Sequence, residues 1–105
     1  MTSPLPTWPA LIQHPGDAEL EFIPDAAAFD TWQLTSTPAT LIDKEGKTYV
    51  IDRDKRLIMK GLASLEEILA LIRAHAILEG ICCTPKLGAP DIPTALTILS
   101  SIVKG

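Results

Sequence analysis

Ser64-Leu-Glu-Glu67 is a capping box, and it commits the chain to a long helix from this point. The serine hydroxyl can accept from the Glu67 amide while the Glu67 carboxylate reaches back to the serine amide, so two of the donors that open a helix satisfy each other. The run continues to Gly80, whose lack of a Cβ suits a left-handed helix stop. Leu65, Ile68, Leu69, Ile72 and Ala76 make one apolar stripe, yet Leu71, Ala74, Ile77 and Leu78 fall outside it. A helix apolar over so much of its girth needs cover on more than one side. A sheet alone does not provide that cover.

The sheet is read from the residues before it. Trp8 to His14 is a short apolar run, Pro15-Gly16-Asp17 supplies a tight turn, and Ala18 to Ile23 alternates, with Leu20 and Phe22 on one face and Glu19 and Glu21 on the other. This is a hairpin. Asp25 can cap a short helix through Trp32 that ends before Thr35 to Pro38, and Phe29 and Trp32, three apart, share the face that pins it to the sheet. Ala39 to Asp43 and Thr48 to Asp52 form a second hairpin around the four-residue loop Lys44 to Lys47, and Leu57 to Lys60 adds a short strand before Gly61.

The second cover for the long helix is the last helix. Asp91 can cap it, Pro93 is tolerated in its first turn, and Ala95, Leu96, Leu99, Ile102 and Val103 form its stripe. Its other face holds Thr94, Thr97, Ser100 and Ser101 with Ile98 at the margin, which is weakly polar for a free surface. Either the helix is packed on most sides within one chain, or it meets a second subunit through Leu96, Ile98, Leu99 and Ile102.

The expected fold is therefore α+β. A mostly antiparallel sheet of about five strands, two hairpins plus a short strand, packs against a long central helix, with a short helix after strand 2 and a C-terminal helix. With 105 residues there is room for one core: a flexible lead over 1–7 and a single domain over 8–105. Aromatics make up only 5% of residues, so Leu, Ile, Val and Ala must fill that core. Residues 1–7 lack a basic segment followed by an apolar run and read as neither a secretory signal nor a transit peptide. The apolar stretches fall short of the ~20 residues of a membrane span. The expectation is a cytoplasmic protein with no membrane partner.

Familiar chemical signatures are absent from the sequence. Cys82 and Cys83 are adjacent, and a disulfide between them would close a small ring through a distorted peptide, so buried or free thiols are the simpler reading. Reactive use would need a depressed thiol pKa, for which only Lys86 is near in sequence. His14, His75, Cys82 and Cys83 do not follow zinc-ligand spacing, and each histidine reads as a surface or satisfied one. Asp43-Lys-Glu-Gly46 resembles the start of a calcium loop, but the sixth position is Thr48 where an EF-hand needs glycine, so it is a turn. The pairs Glu19 with Glu21 and Asp52 with Asp54 lie on a solvated strand face and in a turn, with nothing to tune one toward an acid role. No Gly-rich phosphate loop or nucleophile elbow is present. No cofactor and no metal are expected, and a conventional enzyme is disfavoured.

Charge is segregated along the chain. Six of the nine Lys and Arg residues, Lys44, Lys47, Arg53, Lys55, Arg56 and Lys60, fall within one stretch that contains only Glu45, Asp52 and Asp54 as acids. Residues 1–43 have no Lys or Arg and six acids, and the whole sums to −4. These six cations are the candidate surface for an anionic protein partner, set against the plainer reading that solvated turns are charged. Nucleic acid is a poor fit, because the chain is acidic and Tyr49 is the one stacking aromatic in the stretch.

Trp8-Pro9-Ala10, Glu19-Leu20, and Leu41-Ile42-Asp43 with Gly46 and Tyr49 resemble a small family of bacterial proteins of unknown function, each about one hundred residues long. The resemblance implies a small α+β cytoplasmic domain and carries no activity, cofactor or catalytic residue. The expected function is a small non-enzymatic interaction domain, with a protein partner or self-association. The alternative is a small-molecule binder or enzyme that uses a sheet-helix pocket with Cys82 or Cys83 as the reactive group.

Overall fold

The computed structural model describes residues 6–33, 39–81 and 88–103. Eight elements run in chain order: β1 (Ala10–Gln13), β2 (Leu20–Ile23), α1 (Ala26–Thr31), β3 (Ala39–Asp43), β4 (Lys47–Ile51), β5 (Leu57–Leu62), α2 (Leu65–Leu78) and α3 (Ile92–Val103). The strands form one sheet in the order β2-β1-β3-β4-β5, every neighbouring pair antiparallel. This is the α+β architecture read from the sequence. The first helix ends at Thr31 with Trp32 as its cap, before Thr35 to Pro38 as expected, while Cys82, Cys83 and most of the loop from Thr84 to Pro90 lie outside the described residues.

Each helix starts where a side chain can take an open amide. The Asp25 carboxylate accepts from the Ala28 amide at 2.8 Å, and the Asp91 carboxylate from the Thr94 amide at 2.9 Å. At α2 the capping box is complete: the Glu67 amide donates to Ser64 Oγ at 3.1 Å and the Ser64 amide to Glu67 Oε1 at 3.3 Å. Gly80 follows α2 with φ +74°.

β1 and β2 are shorter than the sequence reading, Ala10–Gln13 within Trp8 to His14 and Leu20–Ile23 within Ala18 to Ile23, and β4 stops at Ile51, one residue before Asp52. Two further boundaries have a visible cause. β4 begins at Lys47, not Thr48, because the Asp43 carboxylate gathers the turn tightly enough for Gly46 to close it at φ +85°. β5 runs past Gly61 to Leu62, because the register against β4 shifts between Thr48 and Tyr49 and leaves Lys60 as an extra, bulged residue. A bulge absorbs the irregularity without ending the ladder.

The core lies on both faces of the sheet. On one face Leu11, Leu20 and Ile42 pack with Ile68, Leu69 and Ile72 of α2 and with Ala95, Leu96 and Leu99 of α3. On the other, Ala10, Ile12, Leu41, Tyr49 and Ile51 pack with Phe29 of α1, flanked by Trp8 and Trp32. Strand β1 is therefore buried on both sides. The second cover that α2 requires is α3, while Ile77 and Leu78 in its last turn remain exposed.

Candidate functional site: the open side of the sheet at β5

The helices do not cover the sheet evenly. The α2 and α3 residues pack on β2, β1 and Ile42 of β3, so that among the described residues the same face of β4 and β5 is uncapped. A groove of about 550 Å³ results, with Gln13, Thr40, Ile42, Thr48 and Lys60 along the sheet and Glu67, Ala70 and Leu71 on the α2 side. Thr40, Val50 and Ile58 sit opposite one another on neighbouring strands and so share this face. Ile58 is 56% exposed, and its neighbours Met59 and Leu62 are 42% and 74% exposed. The groove thus opens onto the edge strand, with Ile58 on its own face and Met59 and Leu62, opposite Tyr49 and Lys47, on the other.

The six cations do not form one patch. Lys44 and Lys47 lie at one end of β4, while Arg53, Lys55 and Arg56 lie in the turn at its other end, roughly 15 Å away at strand rise. Lys47 is engaged, with Nζ 3.6 Å from the buried Asp43 carboxylate and 3.4 Å from that of Glu45. Burial pulls its ammonium down, but Asp43, Tyr49 and Glu45 outweigh this and hold its pKa above the ordinary lysine value. Burial likewise pushes the Tyr49 hydroxyl above its ordinary range.

Lys55 is engaged too. Its Nζ donates to the Asp30 carbonyl at 3.0 Å and sits 4.8 Å from the centre of the Phe29 ring. Its backbone is left-handed, at φ +64°, in a turn where the Asp52 carboxylate accepts from the Asp54 and Arg56 amides at 2.9 Å each. Arg53, Arg56 and Lys60 are exposed, and none forms an ion pair among the described residues. Lys60, at the bulge, is the cation that lines the groove.

Of the four apolar residues considered for a dimer helix, Leu96 and Leu99 are 0% exposed and belong to the core of one chain. Ile98 and Ile102 are half-buried against that same cluster. The apolar face of α3 is thereby occupied within the chain. What the helix still exposes is largely its Thr and Ser face and Val103.

The remaining polar candidates are structural. His75 is 2% exposed, and its Nδ1 accepts the Leu20 amide at 2.9 Å, which ties α2 to the edge strand β2. The ring proton therefore sits on Nε2, 3.8 Å from Glu79 Oε1. Glu21 is drawn off its solvated face by His14 at 2.6 Å and by the Trp32 indole N–H at 3.0 Å. Asp43 holds its own turn and the Thr7 amide, so the calcium-loop likeness resolves into a hydrogen-bonded turn. Among the described residues no three His, Cys, Asp or Glu side chains gather as metal ligands, and no helix is long and apolar enough to cross a membrane. A pocket between sheet and helix was one reading of the sequence, but its place beside β5 and the bare edge were not legible, although the unbroken apolar trio Leu57-Ile-Met59 was a signal of exposure once β5 proved outermost.

A family model described as a protein structure with unknown function matches residues 8–99. The NMR structure of a protein from Shewanella amazonensis is similar to this chain with a TM-score of 0.74 and 25% identity, covering 96% of this chain and 93% of that one. No curated protein matches. The likeness to small bacterial proteins of unknown function that was read from Trp8 to Tyr49 is thus upheld across the fold.

Proposed function

The chain belongs to DUF4144, a family of unknown function, and from that premise we propose that it is a small non-enzymatic interaction domain of the cytoplasm. Its partner is held at the open side of the sheet. One observation carries this reading: the groove beside α2 runs out onto β5, where Ile58, Met59 and Leu62 stay exposed on a folded chain. Contiguous exposed apolar surface rimmed by charge marks contact sites in soluble domains. The cations beside it, Arg53, Arg56 and Lys60, are the exposed part of the basic stretch, since Lys47 and Lys55 are engaged within the chain and Lys44 is half-buried.

The test is affinity capture from the native cell with three forms of the protein. An Ile58→Asp/Leu62→Asp variant is expected to lose a stoichiometric partner that the wild type and a Glu66→Gln control both retain. An unchanged capture profile for the Asp variant overturns the reading. A small-molecule role is the second reading, favoured by the groove volume, which falls within the ~300–1,000 Å³ of ligand pockets. Its reactive group would be Cys82 or Cys83, and inert thiols in the folded protein toward iodoacetamide would remove that chemistry.

A further inference from the structure

The two edges of the sheet differ. At β2 the Leu20 amide is taken by His75, and Leu20 and Ile23 are buried. At β5 the outermost strand has six residues and, among the described residues, β4 as its single sheet neighbour. The outward N–H and C=O groups of such an edge are a template for one more strand.

Edges that must stay unpaired are commonly blunted by a lysine or a bulge. Here both fall on Lys60. A lone lysine opposes apolar or basic strands but attracts an acidic one. β5 itself contains no acidic residue. Arg53 and Arg56 lie in the turn leading into it, where the Asp52 carboxylate is already occupied by the Asp54 and Arg56 amides. The Glu67 carboxylate on the groove wall is tied to Ser64 in the capping box. A second copy of the chain is the wrong occupant, because two-fold pairing of β5 with itself brings two lysines and no carboxylate into one ladder.

Resting on the interaction reading of this end of the sheet, we infer that β5 takes an acidic, extended segment of another protein as a sixth strand. Main-chain hydrogen bonds along β5 supply the hold, and the pattern of alternate side chains supplies the choice. Apolar residues of the segment lie beside Met59 and Leu62, which share the face of Tyr49, and its carboxylates meet Lys60 and Arg56 on the groove face. The positive rim speeds and orients the encounter, which makes the binding salt-sensitive.

The test uses the ¹⁵N-labelled full chain and two end-blocked octapeptides, one alternating Glu and Val, the other Lys and Val. The Glu peptide is expected to shift the amides of residues 57–62, to bind about tenfold more tightly than the Lys peptide, and to weaken as salt rises. An Arg56→Glu/Lys60→Glu variant is expected to reverse that preference, with the amides of α3 unmoved as a control for folding. Equal or stronger binding of the Lys peptide at β5 overturns the acidic partner while leaving an interaction edge in place. Shifts elsewhere, or none at millimolar Glu peptide, overturn strand addition altogether. The capture experiment with the Asp variant decides the broader interaction reading independently.

Discussion

Asp43 has no exposed surface, and its charge is tolerated because its oxygens are occupied. Oδ2 accepts from the Thr7 amide, and Oδ1 from the Glu45 and Lys47 amides, each at 2.9 Å, with Lys47 Nζ beyond. One side chain therefore shapes the β3–β4 turn and fastens the residues ahead of β1, so that Thr7 is anchored where the sequence suggests a flexible lead. Replacing Asp43 with Ala leaves three amides without their acceptor. The expected loss is about 3–5 kcal/mol by urea denaturation, on the scale of breaking charge-assisted hydrogen bonds. Asp43→Asn should recover part of it, since one carbonyl oxygen can still serve Glu45 and Lys47 but the amide nitrogen cannot accept from Thr7. A loss below ~1 kcal/mol for the Ala variant contradicts this role. Sequence showed a turn residue at Asp43 and a mid-helix histidine at His75. It did not show either as buried, because burial is a property of what the rest of the chain brings over them.

Among the elements, the turns test how backbone conformation and space combine. Gly80 ends α2 at φ +74° with nothing within 4 Å of where a Cβ would stand, so Gly80→Ala carries only the conformational cost, about 1 kcal/mol. Gly46 has φ +85°, and a Cβ there would lie 2.6 Å from the Ala63 carbonyl oxygen, which is backbone and cannot swing away. That approach exists because the Ala63 amide donates to the Gly46 carbonyl at 2.8 Å, stitching the β3–β4 turn to the start of α2. Gly46→Ala is therefore expected to cost roughly 3 kcal/mol, about three times Gly80→Ala, in thermal or urea unfolding. Equal losses would mean that the turn and the helix start can separate freely. The caps and both hairpins were legible because each depends on residues a few positions apart. The extension of β5 through a bulge was not, since it depends on how β4 lies beside it.

The molecule is a sheet with a core on each face, and among the described residues the two cores meet through the strands. Leu96 belongs to the α2–α3 side and Ile51 to the α1 side. Leu96→Ala should cost about 2–5 kcal/mol and Ile51→Val about 1 kcal/mol. Combined, they are expected to add to within ~0.5 kcal/mol, whereas Leu96→Ala with Ile72→Val, in one cluster, should depart from additivity by more than that. A strong coupling between Leu96 and Ile51 would show that the strands transmit packing from face to face. This arrangement was half-anticipated: the girth of α2 demanded a further layer on its own side of the sheet, which α3 provides, and Phe29 and Trp32 gave α1 a face toward the sheet, but that α1 takes the opposite face was not. The alternating strands, the capping box at Ser64 and the glycine stops were determined by the sequence alone, since they follow from periodicity and from bonds between near neighbours. Tertiary structure alone decided that the basic stretch divides between the two ends of β4, that His75 closes the β2 edge 55 residues away, and that β5 is left bare among the described residues. Those outcomes depend on strand order and on which half of the sheet the helices cover, and neither is encoded in any local run of residues.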